Sequence, residues 1–85
     1  MFYVYVLKSI KDGKAYIGST PDLKKRLSQH NSGMVASTKP RKPLELVYYE
    51  AYKSHRDARR RESNLKLKSR AYEQLRKRIE DSLKT

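Results

Sequence analysis

Residues 2–18, FYVYVLKSIKDGKAYIG, constrain the fold more than any other stretch. Phe2 to Leu7 is aromatic and β-branched, the composition of a buried strand. Asp12-Gly13 is a hairpin turn signal, and AYIGS reads as the returning strand. Glycine weakens a strand and often marks a bulge or a close approach, which singles out Gly18. Strand alternation puts Tyr3 and Tyr5 on one face, with Phe2, Val4 and Val6 on the other. Tyr16 and Gly18 share a face of the partner strand. A register that sets Tyr5 beside Tyr16 places two hydroxyls next to open backbone.

The rest of the chain supplies helices to cover this hairpin. Thr20-Pro21-Asp22 reads as a helix start, with a capping hydroxyl, proline at the first helical position and an acid in the first turn. The helix continues through LKKRLSQHN and stops at Gly33. MVASTKPRKP is a basic, proline-broken loop, and LELVYYEAY a third strand. Ser54-His55-Arg56-Asp57 resembles a capping box and opens a helix through ARRRESNLKLK. Ser69 is placed to cap a last helix, in which Ala71, Leu75 and Ile79 recur every four residues. The expected fold class is α/β (α+β): one domain over residues 1–85, a small three-stranded antiparallel sheet flanked by helices, in the order β-β-α-β-α-α. A chain of this size buries roughly 60–70% of its unfolded surface, so the core is thin.

Charge narrows the partner. The net charge is +12, from 21 basic and 9 acidic residues. Such an excess favours a polyanion, most often nucleic acid. There is no cysteine, which removes disulfides and thiolate metal sites. With His30 and His55 the only histidines, a zinc site would need carboxylates. No apolar run approaches the roughly 18–20 residues that span a bilayer. MFYVYVLKS is too short and too rich in tyrosine for a signal peptide, and it lacks a basic leader. A soluble, cytoplasmic protein without a membrane partner is expected.

Several polar residues fall on apolar faces. On a helical wheel, Arg26 and His30 share the side of Leu23 and Leu27, while Lys24, Lys25, Ser28 and Gln29 point away. The pair either snorkels to water at the stripe edge or faces the sheet. In the later helix Glu62 falls between Ala58 and Leu65, and Arg59, Arg60 and Arg61 read as the outward charge. A half-buried carboxylate needs a cation. That cation is either an arginine, Arg26 or a local one, or a divalent metal, since Mg²⁺ often takes only one or two carboxylates. Seven tyrosines stand against one phenylalanine, a preference for the ring that carries a hydroxyl. Phenols, an arginine, a histidine and a carboxylate are together the parts of phosphodiester hydrolysis.

These residues resemble the GIY-YIG nuclease family. The likeness is to its small single-domain, UPF0213-like group, related to the nuclease domain of the excision-repair subunit UvrC. Tyr3-Val4-Tyr5 stands where the family has its first motif. Tyr16-Ile17-Gly18 is the intact second motif. Arg26 and His30 match the family's Arg-x-x-x-His helix, continued by Asn31. PLELVYYE resembles its third strand, and RRRESNLK its glutamate helix. The sequence departs in three places. The first motif lacks its glycine. No asparagine follows the glutamate helix, and Asn64 is too close to Glu62 to serve. Ser19 stands where some relatives have lysine.

The resemblance implies a metal-dependent endonuclease acting on DNA. It assigns catalytic positions to Tyr5, Tyr16, Gly18, Arg26, His30 and Glu62, with Glu62 holding one Mg²⁺ or Mn²⁺. Tyr5 is the expected base, Tyr16 and His30 help to position or share its proton, Arg26 binds the phosphate, and Gly18 admits the backbone. Lys39, Arg41, Lys42 and Arg59 are candidate nucleic-acid contacts, set against a merely solvated surface. No base-reading pattern is present, so selectivity for strand state or shape is expected. A monomer or weak dimer is expected. Two other readings compete. One is a binding module that keeps the fold without turnover. The other is a ribosome- or RNA-associated protein, in which Tyr5, Tyr16, Arg26, His30 and Glu62 would not converge.

Overall fold

The computed structural model describes residues 1–66 and 70–84. Strands β1 (Phe2–Ser9), β2 (Ala15–Thr20) and β3 (Leu44–Tyr52) form one antiparallel sheet in the order β2-β1-β3. Helix α1 (Leu23–Asn31) follows the hairpin, and a 3₁₀ turn (Lys39–Arg41) precedes β3. Helices α2 (His55–Lys66), α3 (Arg70–Arg78) and α4 (Glu80–Lys84) complete the chain. The order β-β-α-β-α-α is as expected, with the last helix divided into α3 and α4.

Strand parity separates two cores, as the sequence predicts. Val4 and Val6 pack with Ala58, Leu65, Leu75 and Ile79 on the face covered by α2 and α3. Tyr5, Leu7 and Leu44 pack with Tyr16, Leu23 and Leu27 on the face covered by α1. A bulge in β3 opposite Val6 and Leu7 lets both Tyr49 and Leu46 reach the α1 face. The hairpin turns through Gly13, which takes a φ of 73°. The loop is longer than a two-residue turn. Ser9 and Lys14 close it, and the Asp12 carboxylate accepts from the Lys14 amide at 2.8 Å.

Helix α1 starts two residues later than expected. Thr20 is bound into the β1–β2 ladder, and its hydroxyl accepts from the Asp22 amide at 3.1 Å. Asp22 is therefore the cap, and its carboxylate accepts from the Lys25 amide at 3.1 Å. The helix ends on Gly33 at a φ of 80°. There the Met34 amide bonds Gln29 O and the Gly33 amide bonds His30 O, a Schellman closure. Asn31 then joins helix to sheet, exchanging hydrogen bonds of 3.0 and 2.8 Å with the Leu44 backbone. Ser54 caps α2 through the Asp57 amide at 3.3 Å. The cap expected at Ser69 lies outside the described residues.

One prediction about α2 fails. Arg61 does not point outward. It sits three residues after Ala58 and four before Leu65, on the packed stripe, and grips Glu50 with two hydrogen bonds of 3.0 Å. Tyr48 donates to the same carboxylate at 2.6 Å, and Tyr52 donates as well. Burial opposes the Glu50 charge, but the bonds from Arg61, Tyr48 and Tyr52 outweigh it and hold the carboxyl below its ordinary range. Burial, together with the bond to Glu50, pushes both Tyr48 and Tyr52 up to about 12. This satisfied polar cluster ties β3 to α2.

Candidate active site

The candidate site wraps around the edge strand β2. Its even positions Tyr16 and Gly18 face α1, and its odd position Ser19 faces α2. Tyr5 of the central strand pairs with Gly18, and Tyr16 pairs with Leu7. The tyrosines are thus diagonal neighbours, not directly opposed. The hydroxyl end of the Tyr5 ring covers Gly18, with its ring carbon Cζ 2.6 Å from where a β-carbon would stand. Any side chain there would displace the ring. The glycine makes room for the protein's own tyrosine.

Helix α1 delivers Arg26 and His30 to this face. His30 is completely buried, and its Nε2 lies 2.8 Å from the Tyr5 hydroxyl. The Tyr5 and Tyr16 rings both meet the imidazole edge-on, at 5.7 and 5.1 Å between centroids. Arg26 is half-buried beside the phenol, in a shallow depression that it shares with Ser19, Thr20, Pro21, Lys25, Gln29 and Asp22, whose carboxylate is engaged in capping α1. Its guanidinium hydrogen-bonds Gln29 at 3.3 Å. The four-residue spacing thus faces the sheet and does not snorkel away from it.

Burial sets the protonation states. It raises the Tyr5 pKa, with Tyr16 and Glu62 adding to the rise and Arg26 opposing it. It lowers the His30 pKa, and the neighbouring Arg26 charge lowers it further. A protonated phenol therefore sits against a neutral imidazole at neutral pH.

Glu62 arrives from the other face. The Ser19 hydroxyl donates to its Oε1 at 2.8 Å, and the Lys66 ammonium lies 2.9 Å from its Oε2. Burial opposes the charge, but the hydrogen bonds from Lys66 and Ser19 prevail and lower the Glu62 pKa. The cation expected beside Glu62 is thus a lysine one turn along the same helix, not an arginine. Ser19, which departs from the lysine of some relatives, connects the two halves of the site. No cluster of three or more potential metal ligands occurs among the described residues. A half-buried carboxylate held ionised by Ser19 and Lys66 fits as one donor to a hard, largely hydrated cation, which would have to displace the Lys66 ammonium.

The candidate nucleic-acid contacts divide. Lys39 and Lys42 are exposed near Gly33. Arg41 is committed within the fold, bonding Asp12 at 3.0 Å and Lys14 O at 3.0 Å, and so fastens its loop to the hairpin. Arg59 is exposed on α2, in a shallow basic concavity with His55, Arg56, Arg60 and Ser63.

Sequence reasoning missed Thr38 and Lys66. Thr38 is fully buried and touches His30 Nδ1 at 2.7 Å. No periodicity marks it within an irregular loop. Lys66 did carry a signal, because glutamate four residues before lysine is a favourable helical pair.

Comparison with known proteins agrees with this geometry. Residues 1–78 match the family model of the GIY-YIG catalytic domain. A UPF0213 protein of Bacillus pumilus is 48% identical over 65 residues, 75% of this chain and 65% of the relative. A UPF0213 protein of Staphylococcus saprophyticus is 42% identical over 69 residues, 80% of this chain and 83% of the relative. One from Streptococcus agalactiae is 45% identical over 69 residues, covering 80% and 77%. No solved structure gives a significant match. No helix among the described residues is long and apolar enough to cross a membrane. The convergence of both tyrosine motifs, Arg26, His30 and Glu62 on one strand edge accords with the matched segment, and the chain belongs to the GIY-YIG catalytic-domain family, a family of nucleases.

Proposed function

We propose that this protein is a divalent-metal-dependent endonuclease that hydrolyses phosphodiester bonds in DNA, with single-stranded and branched forms as the first substrates to test. The observation that carries the reading is the Tyr5–His30 hydrogen bond, with Arg26 beside it and Glu62 joined through Ser19. A charged phosphodiester in the Arg26 depression would meet a guanidinium with no carboxylate partner among the described residues. Tyr5 would take a proton from the attacking water while its own proton passes to His30. A free phenol of pKa about 10 is a poor base at neutral pH, and burial makes Tyr5 poorer still. With Nε2 of a neutral His30 2.8 Å away as acceptor, the phenol would pass its proton on as it takes one from water, so that no free phenolate need form first. Tyr16 braces the imidazole from the edge strand.

Glu62 would hold Mg²⁺ or Mn²⁺, which when bound supplies charge stabilisation for the phosphoryl oxygens and the leaving group. Arg59, one turn before Glu62, is the best placed of the four candidate backbone contacts. Lys39 and Lys42 remain open to a polyanion, and Arg41 is occupied internally. A polyanionic partner suits the +12 charge.

The test is incubation with single-stranded, duplex, flap and branched DNA, and with RNA, in Mg²⁺ and in Mn²⁺. Metal-dependent cutting lost in Glu62→Ala and Arg26→Ala supports the proposal. Cutting that survives both changes, or none on any substrate, sinks it. The last outcome favours a second reading, a binding module without turnover, for which the Lys66 ammonium already on Glu62 is the supporting observation.

A further inference from the structure

The proton path at Tyr5 does not stop at His30. Tyr5, His30 and Thr38 are 1%, 0% and 0% exposed. They form one chain. The Tyr5 hydroxyl is 2.8 Å from His30 Nε2, His30 Nδ1 is 2.7 Å from the Thr38 hydroxyl, and that hydroxyl is 3.4 Å from Val35 O. A neutral imidazole carries one donor nitrogen and one acceptor nitrogen, and their assignment follows from the partners. The polarity is set at Tyr5: its buried hydroxyl must donate, and among the described residues the acceptor within reach is His30 Nε2. The imidazole proton then lies on Nδ1, and the Thr38 oxygen, 2.7 Å away, accepts it.

We propose that Thr38 is a positioning residue. It holds His30 as the Nδ1–H tautomer, so that Nε2 is the acceptor for the Tyr5 proton. This rests on the reading of Tyr5 as the base. When the proton moves, the Tyr5 O–H bond breaks and an Nε2–H bond forms while the Tyr5 oxygen takes a proton from the attacking water, leaving an imidazolium, a neutral phenol and a hydroxide-like nucleophile. The Nδ1–H keeps its bond to Thr38 throughout, so nothing needs to rotate. With the opposite polarity, the Thr38 hydroxyl would donate to Nδ1 and Nε2–H would point at the phenol oxygen, leaving His30 unable to receive the proton there.

The fold secures Thr38 from outside the site. Val35 O also accepts the Thr38 and Lys39 amides at 3.1 and 2.9 Å. Three residues on, Arg41 bonds Asp12 and Lys14 O, Ser9 donates to Arg41 O at 2.5 Å, and the Ile10 amide bonds Pro43 O at 2.9 Å. The loop is therefore pinned to the β1–β2 hairpin at the end of the 3₁₀ turn and just after it. The groups around the imidazole are Tyr5 from β1, Tyr16 from β2, Arg26 from its own helix and Thr38 from the loop. From β3, Leu44 and Leu46 complete the same cluster. Glu62 of α2 acts on Tyr5 through its charge alone.

The test reads the tautomer directly, without substrate, by long-range ¹H–¹⁵N correlation on protein labelled at histidine nitrogen. His30 in the wild type and in Thr38→Ser is expected as Nδ1–H, and Thr38→Val is expected to shift it to Nε2–H. Exposed His55 is the internal control. Cleavage by Thr38→Val should fall at least about tenfold in kcat with KM unchanged, and Thr38→Ser should restore it. A wild-type His30 protonated at Nε2 overturns the proposal, as does a Thr38→Val spectrum that matches the wild type. If Thr38→Val does not fold, the wild-type tautomer decides. An inactive wild type would remove the nuclease reading and leave the tautomer result standing by itself.

Discussion

Tyr5 of the central strand and Gly18 of the edge strand face each other across the β1–β2 ladder, and the phenol occupies the space where a Gly18 side chain would begin. Because Tyr5 is buried and bonded to His30, it has little room to move away. Gly18→Ala should therefore cost about 1–3 kcal/mol through overpacking and loosen the Tyr5–His30 bond. Thermal unfolding measures the first effect, and the ring resonances of Tyr5 measure the second. Gly13, whose added β-carbon would meet nothing within 4 Å, is the comparison for backbone strain alone.

Acid should destabilise the protein in two steps. The folded pKa of His30 is depressed from 6.5, so the unfolded chain binds its proton first. Stability present above 6.5 is lost as pH falls through that value toward the folded pKa. Glu50 and Glu62 are depressed from 4.5, and their contributions are lost as pH falls below that point. Thermal melts from pH 8 to pH 3 should show both limbs. His30→Asn should remove the upper limb and leave the lower, whereas Glu50→Gln should shrink the lower and leave Arg61 without its carboxylate.

On the proposed function, Lys66 and a divalent cation would compete for one carboxylate. The ammonium is half exposed, with 50% of its side-chain surface open, so the pair contributes only a few tenths of a kcal/mol to about 1 kcal/mol. Lys66→Met should accordingly tighten Mn²⁺ binding about two- to fivefold. Electron paramagnetic resonance titration of the substrate-free protein reads this. Unchanged or weaker binding in the variant means that Lys66 does not guard the site.

Arg59 and Arg41 should part company in binding experiments. Arg59→Gln is expected to lower the slope of log affinity against log salt by about 1, the signature of one lost phosphate contact. Arg41→Gln is expected to leave that slope alone and lower the melting temperature, since it breaks the loop's attachment to Asp12 and Lys14.

Much of this arrangement is legible in the chain, and the unread parts have physical reasons. Alternation along FYVYVL separated the two cores because a strand has only two faces. The Arg26–His30 spacing set both residues on the side of Leu23 and Leu27 but left open whether they snorkel to water, and only the packing of His30 against Tyr5 and Tyr16 decided it. Thr20 and Asp22 are both good caps, and only the sheet ladder that holds Thr20 decided between them. Arg61 was counted with its charged neighbours, although its spacing from Ala58 and Leu65 lay on the packed stripe. Its partner Glu50 is eleven residues away on β3, a pairing no local pattern reveals. Thr38 meets His30 from an irregular loop that Arg41 and Ser9 fasten to the hairpin, a tertiary arrangement no local pattern reveals.

The central claim is that the Tyr5 hydroxyl carries the proton of the reaction. Tyr5→Phe keeps the ring on Gly18 and removes only the oxygen that meets His30. Cleavage of a branched or single-stranded oligonucleotide in Mn²⁺ should fall about 10²- to 10⁴-fold, with oligonucleotide affinity unchanged. Tyr5→Phe protein that binds and cuts at the wild-type rate would contradict the account.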